Sequence, residues 1–319
     1  MTRDLAVLIV TWNVRDLVLE ALRTLTVDLV SSGLDATVHV LDCASSDDTV
    51  AAIAAHFPQV DLVTSADNLG FAGGNNTLLR RIGFEDRDAL ADSNPLPRAV
   101  YLLNPDTAVQ PGAVRAQFDA LMADPLNGIT GAQLVYGDGT FQHGAFAFPG
   151  LRQLWAEFFP TPGRWIEGGF NGRYRRADYE VGRPFLVDCV LGASMMIRRE
   201  AILDTGIFDP AFFMYCEEID WAWRIHNAGY RALCVPAARV THYVGKSTAQ
   251  VRPRSIVNLW ASRLYFYDKH YRPWKRRTAR GLIAAGMVLR IARTDDADLC
   301  AAYGTVRTMA LNADRPIAR

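Results

Sequence analysis

The feature that most constrains this chain is a repeated alternation in its first third: a short apolar run, a polar loop, then an amphipathic stretch. Residues 5–10 form a continuous apolar run suited to a strand buried on both faces. Leu17, Ala21, Leu22 and Leu25 then recur at helical spacing. The same pattern predicts strands over 37–41, 60–64 and 99–103, with helices over 49–57 and 76–82. Strands that alternate with helices are joined by right-handed crossovers, so the fold class is α/β with a mostly parallel, doubly wound sheet. Ligands of such sheets bind beyond the carboxyl ends of the strands. The polar loops that end the runs are therefore the places to look for chemistry.

With 319 residues, half of them hydrophobic, the chain can build a large core. Lys plus Arg and Asp plus Glu both total 34, and a zero net charge lacks the positive field on which bulk nucleic-acid binding depends. The five cysteines, Cys43, Cys189, Cys216, Cys234 and Cys300, are scattered without a C-x-x-C pair. They predict neither a disulfide framework nor a zinc-thiolate site, and they fit a reducing compartment. The first apolar run is too short for a secretory signal, and no apolar stretch reaches the roughly 20 residues that span a bilayer. The expectation is a cytoplasmic protein.

Polar residues do gather after the predicted strands. The loops are Thr11-Trp12-Asn13, Asp42-Cys43-Ala44-Ser45-Ser46-Asp47, a glycine-rich block over 68–76, and Asn104-Pro105-Asp106-Thr107. Residues 86–97 look like a polar surface excursion. Between 136 and 184, Gly, Pro, Arg and aromatic residues mix without a period, which predicts a loop-rich insertion on the acceptor side of a site. A body over 1–248 and a C-terminal helical extension over 249–319 follow from this division.

Four features could carry chemistry. Asp106 ends a central strand, where one carboxylate can help hold Mg²⁺ or Mn²⁺; the alternative is an Asp that caps the helix beginning near Pro111. The glycine-rich block lets backbone approach a diphosphate ahead of a helix N-terminus, or else is a tight turn. Glu217, Glu218 and Asp220 follow an apolar run at the start of an amphipathic helix. Such crowding can raise one carboxylate's pKa and prepare a general base, although Asp220 and Arg224 are also spaced for an ion pair. His242, at the end of the strand-like run 232–240, is a candidate second metal ligand.

Taken together, six ordered blocks resemble the family 2 glycosyltransferases of GT-A fold, in particular their bacterial rhamnosyltransferase-like branch. They are Val10-Thr11-Trp12-Asn13, Leu41-Asp42-Cys43-Ala44-Ser45-Ser46-Asp47, Asn68-Leu69-Gly70-Phe71-Ala72-Gly73-Gly74-Asn75-Asn76, Leu102-Leu103-Asn104-Pro105-Asp106-Thr107, Gly192-Ala193-Ser194-Met195-Met196-Ile197-Arg198-Arg199 and Phe213-Met214-Tyr215-Cys216-Glu217-Glu218-Ile219-Asp220. The resemblance implies that Thr11, Asn13 and Asp42 line the base and ribose pocket, with Asn68, Gly70 and Asn75 near the nucleotide. It places Asp106 at the metal-binding carboxylate of the D-x-D motif, His242 at a histidine ligand found in some members, and Glu218 at the catalytic acid. Two departures from the pattern matter, beside Cys43, which stands where the family usually has Asn. Asn104 replaces the first acid of D-x-D, and Glu218 stands where Asp is usual, so that Asp220 could share its work.

The activity implied is inverting, metal-dependent transfer of a sugar from a nucleoside-diphosphate donor to a saccharide or lipid-linked acceptor, with rhamnose and cell-surface polysaccharide synthesis as the first expectation. Competing readings are a catalytically impaired sugar-nucleotide binder, motivated by Asn104 and Glu218, and a nucleotidyltransferase, for which the first strand lacks the basic glycine-rich loop. The aromatic and basic residues between 256 and 293 predict a helix or helix pair resting on an anionic membrane surface, or alternatively packed on the body or in a homodimer contact.

Overall fold

The computed structural model describes residues 3–84, 96–243 and 252–312. Most of the polar excursion expected over 86–97, and the junction near 248, lie outside the described residues. Strands β1 (Leu5–Thr11), β2 (Ala36–Cys43), β3 (Asp61–Ser65) and β4 (Ala99–Leu103) pair in parallel in the order β3-β2-β1-β4. Helices α1 (Arg15–Ser32), α2 (Thr49–His56) and α3 (Gly70–Arg81) make the first crossovers. Beyond β4 the sheet continues through β11 (Ser194–Arg198), β6 (Asn127–Val135), β12 (Arg231–His242) and β5 (Thr107–Val109). Here β11 runs antiparallel to both β4 and β6, so the parallel half gives way to a mixed one.

Alternate strand residues feed opposite layers, as the pleat requires. Leu5, Val7 and Ile9 meet Val18, Leu22 and Leu25 of α1 and Phe118 of α4 (Ala113–Met122). Leu8 faces the other layer, with Leu78 and Leu79 of α3 and Trp221 and Ile225 of α9 (Glu217–Asn227).

The structure corrects three sequence expectations. Helix α3 starts at Gly70 rather than Asn76, so most of the glycine-rich block is helix and not loop. Its glycines answer to packing: a Cβ on Gly74 would lie 2.7 Å from Val10 Cγ1, and one on Gly70, where φ is +68°, would collide with the Phe213 carbonyl. The segment 136–184 is also more regular than expected. It holds α5 (Leu151–Phe158), α6 (Gly163–Ile166) and α7 (Arg176–Glu180), with the strand pieces β7 (Phe141–Gln142) and β8 (Ala145–Phe146). The extension has three helices: α10 (Arg252–His270), α11 (Pro273–Ile291) and α12 (Ala297–Leu311). The third starts on an Asp296 cap whose carboxylate accepts the Asp298 and Leu299 amides, each at 3.0 Å. Trp260, Leu264, Ile283, Met287 and Val306 of these helices bury Leu154 and Phe158 of α5 in a third core.

A polar knot ties the extension to α9. The fully buried Asp220 accepts Arg224 Nε at 2.9 Å through one oxygen, and Lys269 Nζ and His270 Nε2, both at 2.7 Å, through the other. Arg224 also donates to the carbonyls of Thr205 at 2.6 Å and Ile207 at 2.8 Å. Burial alone would raise the Asp220 pKa, but the donors from His270, Lys269 and Arg224 outweigh it and hold the carboxyl at about 2. Its contribution to stability is therefore present above the ordinary carboxylate range and fades as pH falls toward 2. We expect Asp220→Asn to cost about 3 kcal/mol at pH 7, because it leaves buried cations uncompensated. Denaturant unfolding at pH 7 and pH 3 checks this, with the gap to the parent chain narrower at pH 3.

Candidate active site

The loops after β1 and β2 are stitched to each other. Asn13, at φ +51°, donates its amide to Ser45 Oγ at 2.8 Å, and its side-chain oxygen accepts the Ser46 amide at 2.7 Å. Asp42 accepts the Ser45 amide at 2.9 Å through Oδ1, while its buried Oδ2 has no partner among the described residues. Asn68 accepts the Gly70 amide at 3.0 Å in a tight turn ahead of α3.

Of the residues singled out by sequence, Thr11, Asn68, Gly70, Asp106, Glu217, Glu218 and His242 line one cavity of about 490 Å³ at the carboxyl ends of the strands. Asn13, Asp42, Asn75 and Asp220 do not line it. Asn13 and Asp42 shape its wall from behind, through the Ser45 and Ser46 contacts. Asn75 is turned into α3, where its amide donates to the Phe71 carbonyl at 3.0 Å. Asp220 is committed to the knot described above. Four buried side-chain oxygens without a partner among the described residues belong to residues that line the cavity: Thr11 Oγ1, Asn104 Oδ1, Glu217 Oε2 and Glu218 Oε2. Buried polar atoms are ordinarily satisfied, so such a cluster marks a place prepared for a polar ligand.

On one wall, Asp106 Oδ1 lies 3.5 Å from His242 Nε2. The pairing of β12 with β5 sets this, since His242 stands opposite Thr107 and the Tyr243 amide donates to the Asp106 carbonyl at 2.8 Å. Asp106 is not the cap of α4. The buried Asp28 takes that role, accepting the amides of Gly112 and of Val114, the latter at 2.8 Å. Among the described residues no group of three or more His, Cys, Asp and Glu side chains could hold a metal ion. The donor set here is one carboxylate, one imidazole and the orphaned Asn104 amide oxygen, which fits an ion that completes its shell from phosphate oxygens and water.

On another wall the chain reaches α9 through Tyr215 at φ +72° and Cys216 at φ +65°. Two successive left-handed residues other than glycine are a strained arrangement, of the kind concentrated at functional sites. They bring Glu217 and Glu218 onto the cavity in the first turn of the helix. Burial, and then the charge of Glu218, push the Glu217 carboxyl far above its usual range, and burial lifts that of Glu218 to about 7. Glu218 also lines a second cavity, of about 560 Å³, whose walls come from the 146–173 segment and from Leu259, Arg263 and Tyr267 of α10. It thus stands between two chambers.

Sequence reasoning missed Arg254, Ser255 and Asn258, which α10 contributes to the first cavity. The basic Arg252-Pro253-Arg254 step was the available signal. It also overestimated the exposed basic and aromatic surface of the extension. Trp260 and Tyr267 are buried, Arg263 pairs with Glu157, and Lys269 pairs with Asp209 and Asp220. What remains outward at the start of α11 is Arg272, Trp274 and Arg277.

The family model described as "Glycosyltransferase like family 2" matches residues 3–256. The chain is 28% identical over 258 residues to N-acetylglucosaminyl-diphospho-decaprenol L-rhamnosyltransferase of Mycobacterium tuberculosis, which covers 80% of this chain and 81% of that protein. It is 40% identical over 58 residues to Rhamnosyltransferase WbbL of Escherichia coli, 18% of this chain and 22% of that one. Among solved structures, GalNAc-T7 with UDP, GalNAc and Mn²⁺ aligns at a TM-score of 0.60 and 12% identity, over 98% of this chain and 56% of the other. Mannosyltransferase PcManGT from Pyrobaculum calidifontis, with GDP-Man and Mn²⁺, aligns at 0.56 and 17% identity, over 99% and 89%. At these identities the structures establish a shared fold.

The raised carboxyl pKa values carry a stability consequence. A proton on Glu218 is held more tightly in the folded chain than in the unfolded one, so folding is favoured at low pH and opposed as pH rises through about 7. We expect Glu218→Gln to raise stability by about 1–2 kcal/mol at pH 8, discounted for water in the adjoining cavities. The gain vanishes below the ordinary carboxylate range. Thermal unfolding of both proteins between pH 4 and pH 8 reads it directly.

Proposed function

The chain belongs to the glycosyltransferase family 2 group, and from that premise we propose that it transfers a sugar, rhamnose in the first instance, from a nucleoside-diphosphate donor to a lipid-linked saccharide with inversion at the anomeric carbon. One observation carries the reading: Asp106 with His242, and Glu217 with Glu218, share one cavity, while Glu218 alone of these opens on a second. The names of the Mycobacterium tuberculosis and Escherichia coli relatives support the sugar and the class of acceptor.

In this reading the first cavity takes the donor. Thr11, Trp12 and Cys43 receive the nucleoside against the wall that Asn13 and Asp42 brace, with Asn68 and Gly70 alongside. The diphosphate lies toward Asp106, His242 and Arg254. A divalent ion, Mg²⁺ or Mn²⁺, held by Asp106 and His242 with Asn104 Oδ1 would neutralise charge on the leaving diphosphate; the Mn²⁺ in both structural neighbours supports this. Arg254 adds a positive charge that the protein itself carries. The acceptor enters through the second cavity, and its hydroxyl gives its proton to Glu218 as it attacks the face opposite the leaving group. The two glutamates titrate as one unit, so loss of the first proton yields a base while the other carboxyl stays neutral. No helix among the described residues is long and apolar enough to cross a membrane. We assign peripheral contact with the cytoplasmic face of a membrane to the Arg272, Trp274 and Arg277 end of α11, where an amphipathic aromatic ring and cations suit an anionic interface.

The central test is Glu218→Gln assayed with nucleotide-activated rhamnose, Mn²⁺ or Mg²⁺, and a lipid-linked acceptor. Turnover falls by about 10²–10⁴-fold, the usual worth of a general base, while donor affinity changes by less than about twofold. In the parent chain kcat/KM rises with pH through about 7 as the pair loses its first proton. A parent protein that binds donor without turnover, or a Glu218→Gln variant that keeps normal turnover, overturns the assignment. For the membrane contact, Trp274→Ala reduces flotation with anionic vesicles and leaves neutral-vesicle controls unchanged.

A further inference from the structure

The second ring nitrogen of His242 faces a residue that none of the foregoing assigns a role. Gln142, on the short strand β7, is buried, and its Nε2 lies 3.2 Å from His242 Nδ1. The sheet brings the two together: Gln142 pairs with Leu134 of β6, and on the other side of that strand Leu134 pairs with Val240, two residues before His242. The other amide atom, Gln142 Oε1, is buried with no partner among the described residues.

In this orientation the amide donates to Nδ1. Nδ1 is then the acceptor, and the imidazole proton sits on Nε2, where it points toward Asp106 Oδ1 at 3.5 Å. A neutral imidazole in that tautomer has no lone pair on Nε2 to offer a cation. Rotating the Gln142 amide by half a turn exchanges its two atoms. Oε1 then accepts a proton from Nδ1–H, the amide nitrogen takes the place that Oε1 held, and His242 Nε2 is left with its lone pair free. The ring gains one proton at Nδ1 and loses one at Nε2, so its charge is unchanged. Histidines that hold metals are generally fixed in this way through the other nitrogen.

We propose that Gln142 is a positioning residue for the cation site: its amide sets which nitrogen of His242 carries the proton, and its turn from donor to acceptor makes Nε2 a ligand. The inference rests on the reading of Asp106 and His242 as metal ligands, and it is specific to this chain's Gln142. It explains why a long buried amide, with one end unsatisfied, stands at the back of that imidazole.

The test is Mn²⁺ binding to the full chain with saturating dTDP, followed by electron paramagnetic resonance of the free ion. Electron spin echo modulation of the bound ion reports a coordinated imidazole nitrogen. The parent protein shows that nitrogen signal. Gln142→Leu, which cannot accept from Nδ1–H, weakens Mn²⁺ binding about 10–100-fold and loses it. Gln142→Glu, whose carboxylate accepts from Nδ1–H, keeps the nitrogen signal and binds at least as tightly as the parent. Circular dichroism melting of both variants shows that they are folded, and Gln142→Met repeats the apolar substitution with a different shape. If Gln142→Leu and Gln142→Met bind Mn²⁺ within twofold of the parent and keep the signal, the inference is wrong. A parent protein that binds Mn²⁺ without the nitrogen signal also overturns it while leaving Asp106 as a ligand. A parent that binds no Mn²⁺ removes the metal reading and this inference with it.

Discussion

The site depends on one close approach. The segment ahead of α9 crosses the start of α3 so tightly that its Phe213 carbonyl occupies the space of a Gly70 side chain and accepts the Phe71 amide at 3.2 Å. Six residues along α3, the buried Asn76 clamps the same segment from both sides of its amide. It donates to the Phe208 carbonyl at 2.9 Å and accepts the Phe208 amide at 3.0 Å. From the opposite direction Ser262 of α10 donates to the Met214 carbonyl at 2.8 Å. With 208, 213 and 214 fixed, the left-handed pair Tyr215 and Cys216 has a single route to follow, and it delivers two glutamates to the cavity wall. The strain of that turn, on the order of 1–3 kcal/mol per residue, is sustained by these contacts on either side.

Within the first turn of α9 the same chemistry meets two opposite environments. Asp220 is surrounded by Arg224, Lys269 and His270 and stays ionised deep in the protein. Glu217 is buried and Glu218 half-buried beside it; among the described residues no cation pairs with either, and each keeps one oxygen unpartnered. The first acid stabilises the junction between body and extension. The other two destabilise the fold at neutral pH and are thereby poised to exchange a proton there. The extension meets this region from both sides, since α10 supplies Lys269 and His270 to Asp220 and also places Arg254 on the first cavity.

This division bounds how much of the molecule could be read from its sequence. The crossovers through β4 were legible because each run is buried on both faces and bounded by polar loops. The start of α3 was not, because Gly70, Gly73 and Gly74 have the poorest helix propensity of any residue but proline, and only the nearness of Phe213 to Gly70 and of Val10 to Gly74 explains two of them. Asp106, His242 and the glutamates were legible as candidates from their positions at strand and helix ends. The Arg224 partner of Asp220 was legible from its spacing, but the full separation of Asp220 from Glu218 was not, since Lys269 and His270, which also pair with Asp220, lie about fifty positions downstream. The aromatic and basic residues of the extension looked like surface for the same reason: the amphipathic period does not reveal that α5 and α12 will cover Trp260 and Tyr267.

In the proposed reading, Asn104 and the glutamate pair act together as one electrostatic balance. The nucleoside diphosphate proposed for the first cavity would bring negative charge to walls that already carry Asp106, Glu217 and Glu218. An acid at position 104 would grip a cation more strongly but would add a further unit of repulsion. Asn104 would give up part of that grip while lining the same cavity with an oxygen that has no partner among the described residues, and Arg254 offers positive charge that need not be recruited from solution. The shared proton of the glutamate pair removes another unit at neutral pH, where one carboxyl stays neutral beside the base. In that reading a neutral residue at position 104 and a shared proton on the glutamate pair act in the same direction: both would lower the negative charge that the proposed donor must meet.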